Sequence, residues 1–280
     1  MKNVTLNNGL EMPILGFGVF QMNDQQECER SVLNAIEVGY RSIDTASAYH
    51  NEEAVGSAIK SSGIPREELF ITTKLWLQDG GYEKAKKAFE TSIKKLGLDY
   101  LDLYLIHQPF NDVYGSWRAM EELYHEGKIR AIGVSNFRPD RLMDLILYNE
   151  VIPAVNQIET HPYFQQIENQ KFLQENNVQH ESWAPLGQGK LNVLGDDLLL
   201  IIAKKYNKSV AQVVLRWLIQ RNIVVIPKSV HKKRIEENFN LFDFELTSQD
   251  MEDIKTLDRN ASEFKNHTDP EVVKWFSELK

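Results

Sequence analysis

The chain is poor in the features that mark secreted, membrane-bound or nucleic-acid-binding proteins. It has a single cysteine, Cys28, which excludes an intramolecular disulfide and a zinc site built from cysteines, and we expect its thiol to be buried or inert. No run approaches the roughly 18 apolar residues of a membrane span, and the first residues lack the apolar segment of a signal peptide. The net charge of −8 opposes nucleic-acid binding, which requires a basic surface. We therefore predict a cytoplasmic protein that binds neither membrane nor nucleic acid.

What the sequence does contain is an alternation of strand-like and helix-like segments. Two short runs around Asn8-Gly9 predict an N-terminal β-hairpin. The predicted strands after it are 14–16, 41–43, 70–73, 101–106, 131–134, 154–158, 178–183 and 224–226. Helical spacing of apolar residues predicts helices at 25–38, 82–96, 114–125, 141–148, 168–175 and 210–220, and a helix that begins near 51. Segments 248–258 and 270–280 follow the eighth unit and are expected to lie over one end of the fold.

Eight strand–helix units in about 240 residues favour a closed (β/α)₈ barrel, the TIM barrel, as one domain spanning residues 1–280. We expect the hairpin to cap the bottom of the barrel and the C-terminal helix and tail to be additions to it. The alternative is a doubly wound sheet, which would hold a dinucleotide on a glycine-rich turn after its first strand. The corresponding turn, Gly16–Gln21, has glutamine where the third glycine belongs. This difference favours the barrel.

Polar side chains stand at the ends of three consecutive predicted strands. Asp44 follows the second strand with Tyr49 on its loop, Lys74 ends the third strand, and His107 ends the fourth. Taken alone, each of these residues is more often structural than catalytic. The C-terminal ends of barrel strands meet at one mouth, however, so the four side chains are expected to lie together there. The sequence therefore predicts a catalytic site at this mouth.

The chemistry of the four groups is coherent. A free phenol titrates near pH 10, with a pKa too high for easy proton release at neutral pH, and a neighbouring ammonium stabilises the phenolate. A carboxylate keeps the lysine charged and oriented, and an imidazole can hold a carbonyl oxygen. Together they form an electrophilic site for a carbonyl that becomes an alkoxide. The sequence shows no obvious activated nucleophile, so we expect hydride from a nicotinamide to be added to the carbon.

A second signal follows the last predicted strand. Lys228 and Ser229 come directly after the strand, and a helix that contains Arg234 begins with basic residues. Barrels often bind phosphate at this position, and basic residues in the first turn of a helix oppose its dipole unless an anion is bound. Lys228 and Arg234 suit the 2′-phosphate that distinguishes NADPH from NADH. The other interpretation, an ordinary basic helix start, is about as well supported by this segment alone.

Taken together, these motifs resemble those of the aldo/keto reductase family. The resemblance rests on GYRSIDTASAYHNEEAVG at 39–56, DYLDLYLIHQP at 99–109, Lys74, and IPKS at 226–229 followed by RIEEN at 234–238, and it extends from residue 6 to about 257. It implies a (β/α)₈ barrel that binds extended NADPH at its C-terminal mouth. It also implies that Tyr49 donates the proton, Lys74 lowers the pKa of Tyr49, Asp44 pairs with Lys74, and His107 orients the carbonyl.

The same resemblance implies roles for further residues. The nicotinamide carboxamide would be bound by Ser135, Asn136 and Gln157, and its ring would stack on Trp183. Leu186 would also contact the cofactor, Lys228, Ser229 and Arg234 would hold the 2′-phosphate, and Asn238 would lie near the adenine. The substrate pocket would be formed by Phe20, Tyr49, Trp76 and His107. No metal is expected.

The chain also departs from the family pattern. Phe20 stands where many relatives have tryptophan, and the stretch between Leu186 and Asp197 and the C-terminal tail are short. These departures predict an open pocket and the compact bacterial branch that resembles 2,5-diketo-gluconate and methylglyoxal reductases. The expected function is NADPH-dependent reduction of small aldehydes and ketones, including dicarbonyls or keto-sugars, by a monomer. The alternatives are an NADPH sensor without catalysis on the same barrel and a metal-dependent hydrolase, although the seven histidines lack the spacing of metal ligands.

Overall fold

The computed structural model describes residues 2–279, and its first element is a β-hairpin formed by β1 (Asn3–Thr5) and β2 (Glu11–Pro13). The side-chain amide of Asn7 donates to the carbonyl oxygen of Pro153 over 3.1 Å, and that of Asn8 donates to the carbonyl oxygen of Arg130 over 2.9 Å. Both acceptors precede strands of the central sheet. The hairpin therefore covers the N-terminal end of the sheet, as predicted.

The central sheet consists of eight parallel strands, each paired with the next in chain order. They are β3 (Phe17–Gly18), β4 (Ser42–Asp44), β5 (Phe70–Leu75), β6 (Leu103–Ile106), β7 (Ile132–Ser135), β8 (Val155–Glu159), β9 (Gln179–Trp183) and β10 (Val224–Val225). The amide of Gly16 donates to the carbonyl oxygen of Val225 over 2.8 Å, and the amide of Val225 donates to that of Ile14 over 3.0 Å. These bonds join the two outer strands and close the barrel, which confirms the predicted fold class.

The first strand lies later in the chain than predicted. The sequence pattern indicated 14–16, whereas the ladder with β4 uses Phe17 and Gly18. Residues 14–16 instead make the closing contact with β10, where Leu15 is bridged to Val225. The pattern therefore identified the right segment. It did not show that Leu15 is bridged to β10 while Phe17 and Gly18 pair with β4.

Helices surround the barrel, most of them between successive strands. They are α1 (Gln25–Val38), α2 (Glu52–Ser62), α3 (Tyr82–Leu96), α4 (Val113–His125), α5 (Pro139–Leu147), α6 (Ile167–Glu175), α7 (Asp197–Tyr206), α8 (Val210–Gln220), α9 (Lys232–Phe239), α10 (Ser248–Lys255) and α11 (Pro270–Glu278). Helix α1 begins where Asp24 accepts a hydrogen bond from the amide of Glu27, and it ends at Gly39, whose φ of 124° suits a residue without a side chain. Helix α7 was not predicted, because its nearly continuous apolar run conceals the helical period.

The single cysteine lies in the interior of the protein. Cys28 is fully buried on α1, and burial, aided by Glu27, raises the pKa of its thiol to about 12. The thiol is therefore held in its unreactive protonated form, as expected.

Within residues 2–279, no helix is both long and apolar enough to cross a membrane.

The C-terminal tail packs over the C-terminal ends of the barrel strands. The side-chain amide of Gln78, in the loop after β5, donates to the carbonyl oxygen of Phe276 on α11 over 3.1 Å. The ring of Phe276 lies 6.2 Å from that of Trp76, and the ring of His267 forms a 3.0 Å hydrogen bond with the side chain of Gln108. The tail does lie over one end of the barrel, as predicted. The sequence predicted an open pocket, and the short tail covers one side of it.

Candidate active site

The barrel brings together the four residues predicted to be catalytic. Asp44 is the last residue of β4, Lys74 lies in β5, His107 follows β6, and Tyr49 ends a short 3₁₀ turn after β4. The Nζ of Lys74 donates to Oδ1 of Asp44 over 2.6 Å and to the carbonyl oxygen of Thr45 over 2.9 Å. It also lies 3.5 Å from the hydroxyl of Tyr49. The ammonium thus links a carboxylate to a phenol.

Burial and ion pairing have opposite effects on the pKa of Lys74. Its side chain is fully buried, and burial by itself lowers the pKa of an ammonium. Asp44 and Tyr49 act in the opposite direction, and the pKa of Lys74 is raised overall. Lys74 therefore carries a full positive charge at neutral pH, beneath the phenol.

The balance at Tyr49 differs from the sequence expectation. Burial raises the pKa of the phenol, and the ammonium of Lys74 lowers it by less, so the pKa remains above its ordinary value. The predicted influence of Lys74 is therefore present but is outweighed by burial. A phenol in this state is protonated at neutral pH, which suits a group that has to give up a proton.

His107 faces the cavity as a neutral imidazole. Burial, together with the positive charge of Lys74 and the ring of His267, lowers its pKa well below the ordinary value. Its ring lies 5.6 Å from that of Tyr49 and 5.1 Å from that of Trp76. Its Nδ1 is buried without a hydrogen-bond partner among residues 2–279. A neutral ring that carries its proton on Nε2 can donate a hydrogen bond to a substrate oxygen.

A cavity of about 2010 Å³ extends from this site along the C-terminal mouth. Typical pockets for small molecules are roughly 300–1,000 Å³, so the cavity has room for a dinucleotide and a substrate. Lys74 lies beneath its floor. Every other predicted site residue borders it: Phe20, Asp44, Tyr49, Trp76, His107, Ser135, Asn136, Gln157, Trp183, Leu186, Lys228, Ser229, Arg234 and Asn238.

The predicted nicotinamide residues are connected by hydrogen bonds. The indole Nε1 of Trp183 donates to Oδ1 of Asn136 over 2.9 Å, and Nδ2 of Asn136 donates to the carbonyl oxygen of His107 over 3.0 Å. Asn136 has a φ of 66°, a left-handed conformation that asparagine tolerates better than most residues. Ser135 donates to the carbonyl oxygen of Gln157 over 2.8 Å. Asn136 therefore holds the indole in place, a contact that the sequence did not indicate.

At the opposite end of the cavity, cations are available to bind an anion. Lys228 and Arg234 are exposed, and within the described part of the chain neither forms an ion pair within 4.0 Å. Lys232, on the same helix as Arg234, is instead 2.7 Å from Glu37. Ser229 and Asn238 are buried beside the two free cations. This composition fits the phosphate-bearing end of a dinucleotide.

The sequence missed the residues that the tail contributes. Phe264, His267, Trp275 and Phe276 line the cavity from segments that no local pattern connects to the barrel mouth. Sequence reasoning also missed Glu181, which is buried in the middle of β9. An acidic residue inside a predicted buried strand was an available signal for it.

The side chains at the mouth do not form a metal site. Across residues 2–279, no group of three or more histidine, cysteine, aspartate or glutamate side chains is arranged to hold a metal ion. The cluster at the mouth is instead one ion pair, a phenol and a neutral imidazole. This set can polarise a carbonyl and protonate its oxygen.

Comparison with known proteins agrees with this chemistry. Residues 14–259 match the aldo/keto reductase family. The chain is 53% identical to glyoxal reductase of Bacillus subtilis over 258 residues, which are 92% of this chain and 93% of the relative. It is 47% identical to a methylglyoxal reductase of Yersinia pestis over 258 residues, covering 91% and 92% of the two chains. The structure of a Bombyx mori aldo-keto reductase in complex with NADP aligns with a TM-score of 0.90 at 35% identity, covering 98% of this chain and 96% of that one.

Proposed function

Since this chain belongs to the aldo/keto reductase family, as predicted, we propose that it reduces small aldehydes and ketones to alcohols with NADPH. The observation that carries the proposal is the buried ion pair of Lys74 and Asp44 beneath the hydroxyl of Tyr49, with neutral His107 facing the same cavity. A protein that only bound the cofactor would not need a proton donor with this arrangement.

The residues around the cavity fit NADPH. Lys228 and Arg234, which form no ion pair with another residue of the described range 2–279, offer positive charge to the 2′-phosphate. Ser229 offers a hydroxyl group, and Asn238 offers an amide for the adenine end. Trp183 offers a flat ring at the other end, and Gln157 and Ser135 lie beside it. NADPH, when bound, supplies the hydride that is added to the carbonyl carbon.

In the proposed mechanism, the protein provides the proton and the electrostatic environment. His107 donates a hydrogen bond from Nε2 to the carbonyl oxygen and so holds it beside Tyr49. As negative charge develops on that oxygen, the Tyr49 hydroxyl donates its proton, because an alkoxide is a much stronger base than a phenolate. Lys74 stabilises the phenolate left behind, and Asp44 keeps Lys74 charged and oriented. The tail residues line one side of the site.

The finer features of the function are also proposals. The names of the two bacterial relatives support glyoxal-type dicarbonyls as substrates, with keto-sugars as a further class. We propose a monomer that acts in the cytoplasm as a single domain and does not bind nucleic acid. The net charge of −8 supports the last point.

A spectrophotometric assay tests the proposal. NADPH absorbance is followed with methylglyoxal and with benzaldehyde, beside NADH, for the wild type, Tyr49→Phe and Tyr148→Phe. We expect NADPH oxidation by the wild type and a loss of at least about 10²-fold in Tyr49→Phe with NADPH binding retained. Tyr148 is 76% exposed and does not border the cavity, so its variant serves as the control. Tight NADPH binding without turnover of any carbonyl would favour the sensor instead, and inhibition by chelators would favour a metal-dependent reaction.

A further inference from the structure

A buried acid lies beside the catalytic residues without a role in the proposed mechanism. Glu181 occupies the middle of β9, two residues before Trp183, and is 1% exposed. On one side, β10 places Val224 next to it and contributes no charge. On the other side, β8 contributes Gln157. The ionisable groups that face it are Asp44 from β4, Lys74 from β5 and Tyr49 from the loop after β4.

Gln157 joins Glu181 to the ion pair. Its Nε2 donates to Oδ2 of Asp44 over 2.9 Å and to Oε2 of Glu181 over 3.0 Å. One amide group thus gives both of its hydrogens to two different carboxyl groups. This determines the orientation of the amide, because its oxygen has to point away from both acceptors. Gln157 borders the cavity, so Oε1 is the atom that it can offer to a ligand there.

The charges in this cluster do not balance if both acids are ionised. Oδ1 of Asp44 accepts from Lys74 over 2.6 Å, which leaves no second cation for Glu181. Oε1 of Glu181 is buried and has no hydrogen-bond partner among residues 2–279. An unpaired buried carboxylate is far more unfavourable than a neutral acid at the same position. In agreement, burial and the negative charge of Asp44 raise the pKa of Glu181 to about 8.

We propose that Glu181 is a positioning residue that acts through Gln157. In its protonated form it holds the Gln157 amide so that Oε1 faces the nicotinamide carboxamide, whose NH₂ group can donate to it. When Glu181 ionises at alkaline pH, a second negative charge appears beside Asp44 and disfavours the phenolate of Tyr49. The inference rests on the proposed function, because it assigns the carboxamide as the ligand of Gln157.

The consequence appears in the reverse reaction, the oxidation of an alcohol with NADP⁺. This direction needs Tyr49 as the phenolate, so its rate rises with pH. In the wild type, ionisation of Glu181 opposes that rise above about pH 8, which produces an inflection in the pH profile of kcat. Glu181→Gln is isosteric with the protonated acid and cannot ionise. We expect this variant to lack the inflection.

A second variant and a matched control complete the experiment. Glu181→Leu removes the acceptor for Gln157, and we expect the Kd for NADPH to rise about tenfold, the effect of losing one hydrogen bond. Glu159→Gln is the control, because Glu159 is a buried carboxylate on neighbouring β8 that accepts from Ser262 and the amide of Glu263 in the tail. It should retain the inflection. Circular dichroism shows whether each variant folds.

Infrared spectroscopy of the wild type provides a test without substitution. We expect the carbonyl stretch of a protonated carboxylic acid to disappear between pH 7 and 9. Persistence of the alkaline inflection in Glu181→Gln, or absence of the infrared transition, would overturn the inference. Failure of the proposed function would look different, since the wild type itself would then show no turnover while the infrared titration could still be measured.

Discussion

The ammonium of Lys74 and the carboxylate of Asp44 lie 2.6 Å apart where neither side chain is more than 4% exposed. Each group makes the burial of the other possible, because an unpaired buried charge is strongly unfavourable. Lys74 of this pair also lies next to the hydroxyl of Tyr49, so two residues that are required for stability are also positioned for catalysis.

Replacing Asp44 by asparagine should therefore affect stability and activity together. We expect the free energy of unfolding to fall by about 3–5 kcal/mol, since Lys74 is left without a counter-charge. We expect kcat to fall by about 10²-fold or more, because Lys74 is then less able to stabilise the phenolate. Chemical denaturation and steady-state kinetics measure the two effects.

The double variant Asp44→Leu/Lys74→Met separates the two roles. It removes both charges, so it should regain most of the lost stability without regaining activity. An Asp44→Asn variant with wild-type kcat would contradict the assignment of the pair to catalysis.

Arg234 should determine the preference for NADPH over NADH. A hydrogen bond to a charged group contributes about 1.5–3 kcal/mol, so Arg234→Ala should raise the Kd for NADPH by about 10- to 100-fold and leave the Kd for NADH unchanged. Quenching of protein fluorescence reports both affinities. Lys232→Ala is the matched control, because Lys232 is paired with Glu37 and should have little effect. Equal losses for the two cofactors would show that Arg234 does not contact the 2′-phosphate.

Phe276 should affect large substrates more than small ones. Its ring is 6% exposed and contacts Trp76 and Phe110 at ring distances of 6.2 and 5.6 Å. In Phe276→Ala we expect the KM for benzaldehyde to rise about tenfold, because an aromatic contact and apolar surface are lost, while methylglyoxal changes little. Phe242→Ala, at an exposed ring outside the cavity, is the control. An equal rise in KM for both substrates would argue against an aromatic wall contributed by the tail.

Buried His180 should make stability depend on pH. Burial, with a smaller contribution from Arg221, lowers its pKa to about 3. Below about pH 6.5 the unfolded chain binds a proton at this residue that the folded chain excludes, so the free energy of unfolding falls as the pH decreases. Between pH 6.5 and 4.5 this contribution amounts to about 2 kcal/mol.

Denaturation curves at several pH values measure this contribution. His180→Gln should reduce the pH dependence by about that amount, even though the loss of the hydrogen bond to Thr160 lowers stability at every pH. If the free energy of unfolding depended on pH equally in the wild type and in His180→Gln, His180 would take up its proton equally in the folded and the unfolded chain.

Much of the fold could be predicted from the sequence because its signals are local. Asp24 and Gly39 mark the two ends of α1 through hydrogen bonds and backbone angles within a few residues. The eight strands alternate with helices, and in a closed barrel this order alone brings Asp44, Lys74 and His107 to one mouth. The motif around Tyr49 indicated the family, which the comparisons bear out.

The contacts between distant segments could not be predicted from the sequence. Asp44 and Gln157 are 113 residues apart, and Gln78 and Phe276 are 198 residues apart. No local pattern encodes such pairs, because they depend on strand register, on barrel closure and on where the tail docks. The protonation states of buried groups could not be predicted from the sequence either. The pKa values of Tyr49 and Glu181 are raised by burial and by charged neighbours from other parts of the chain. The barrel and the identity of its reactive groups could therefore be predicted from local sequence patterns. The protonation of these groups and the side of the pocket that the tail covers could not, because both arise from contacts that form only when the chain has folded.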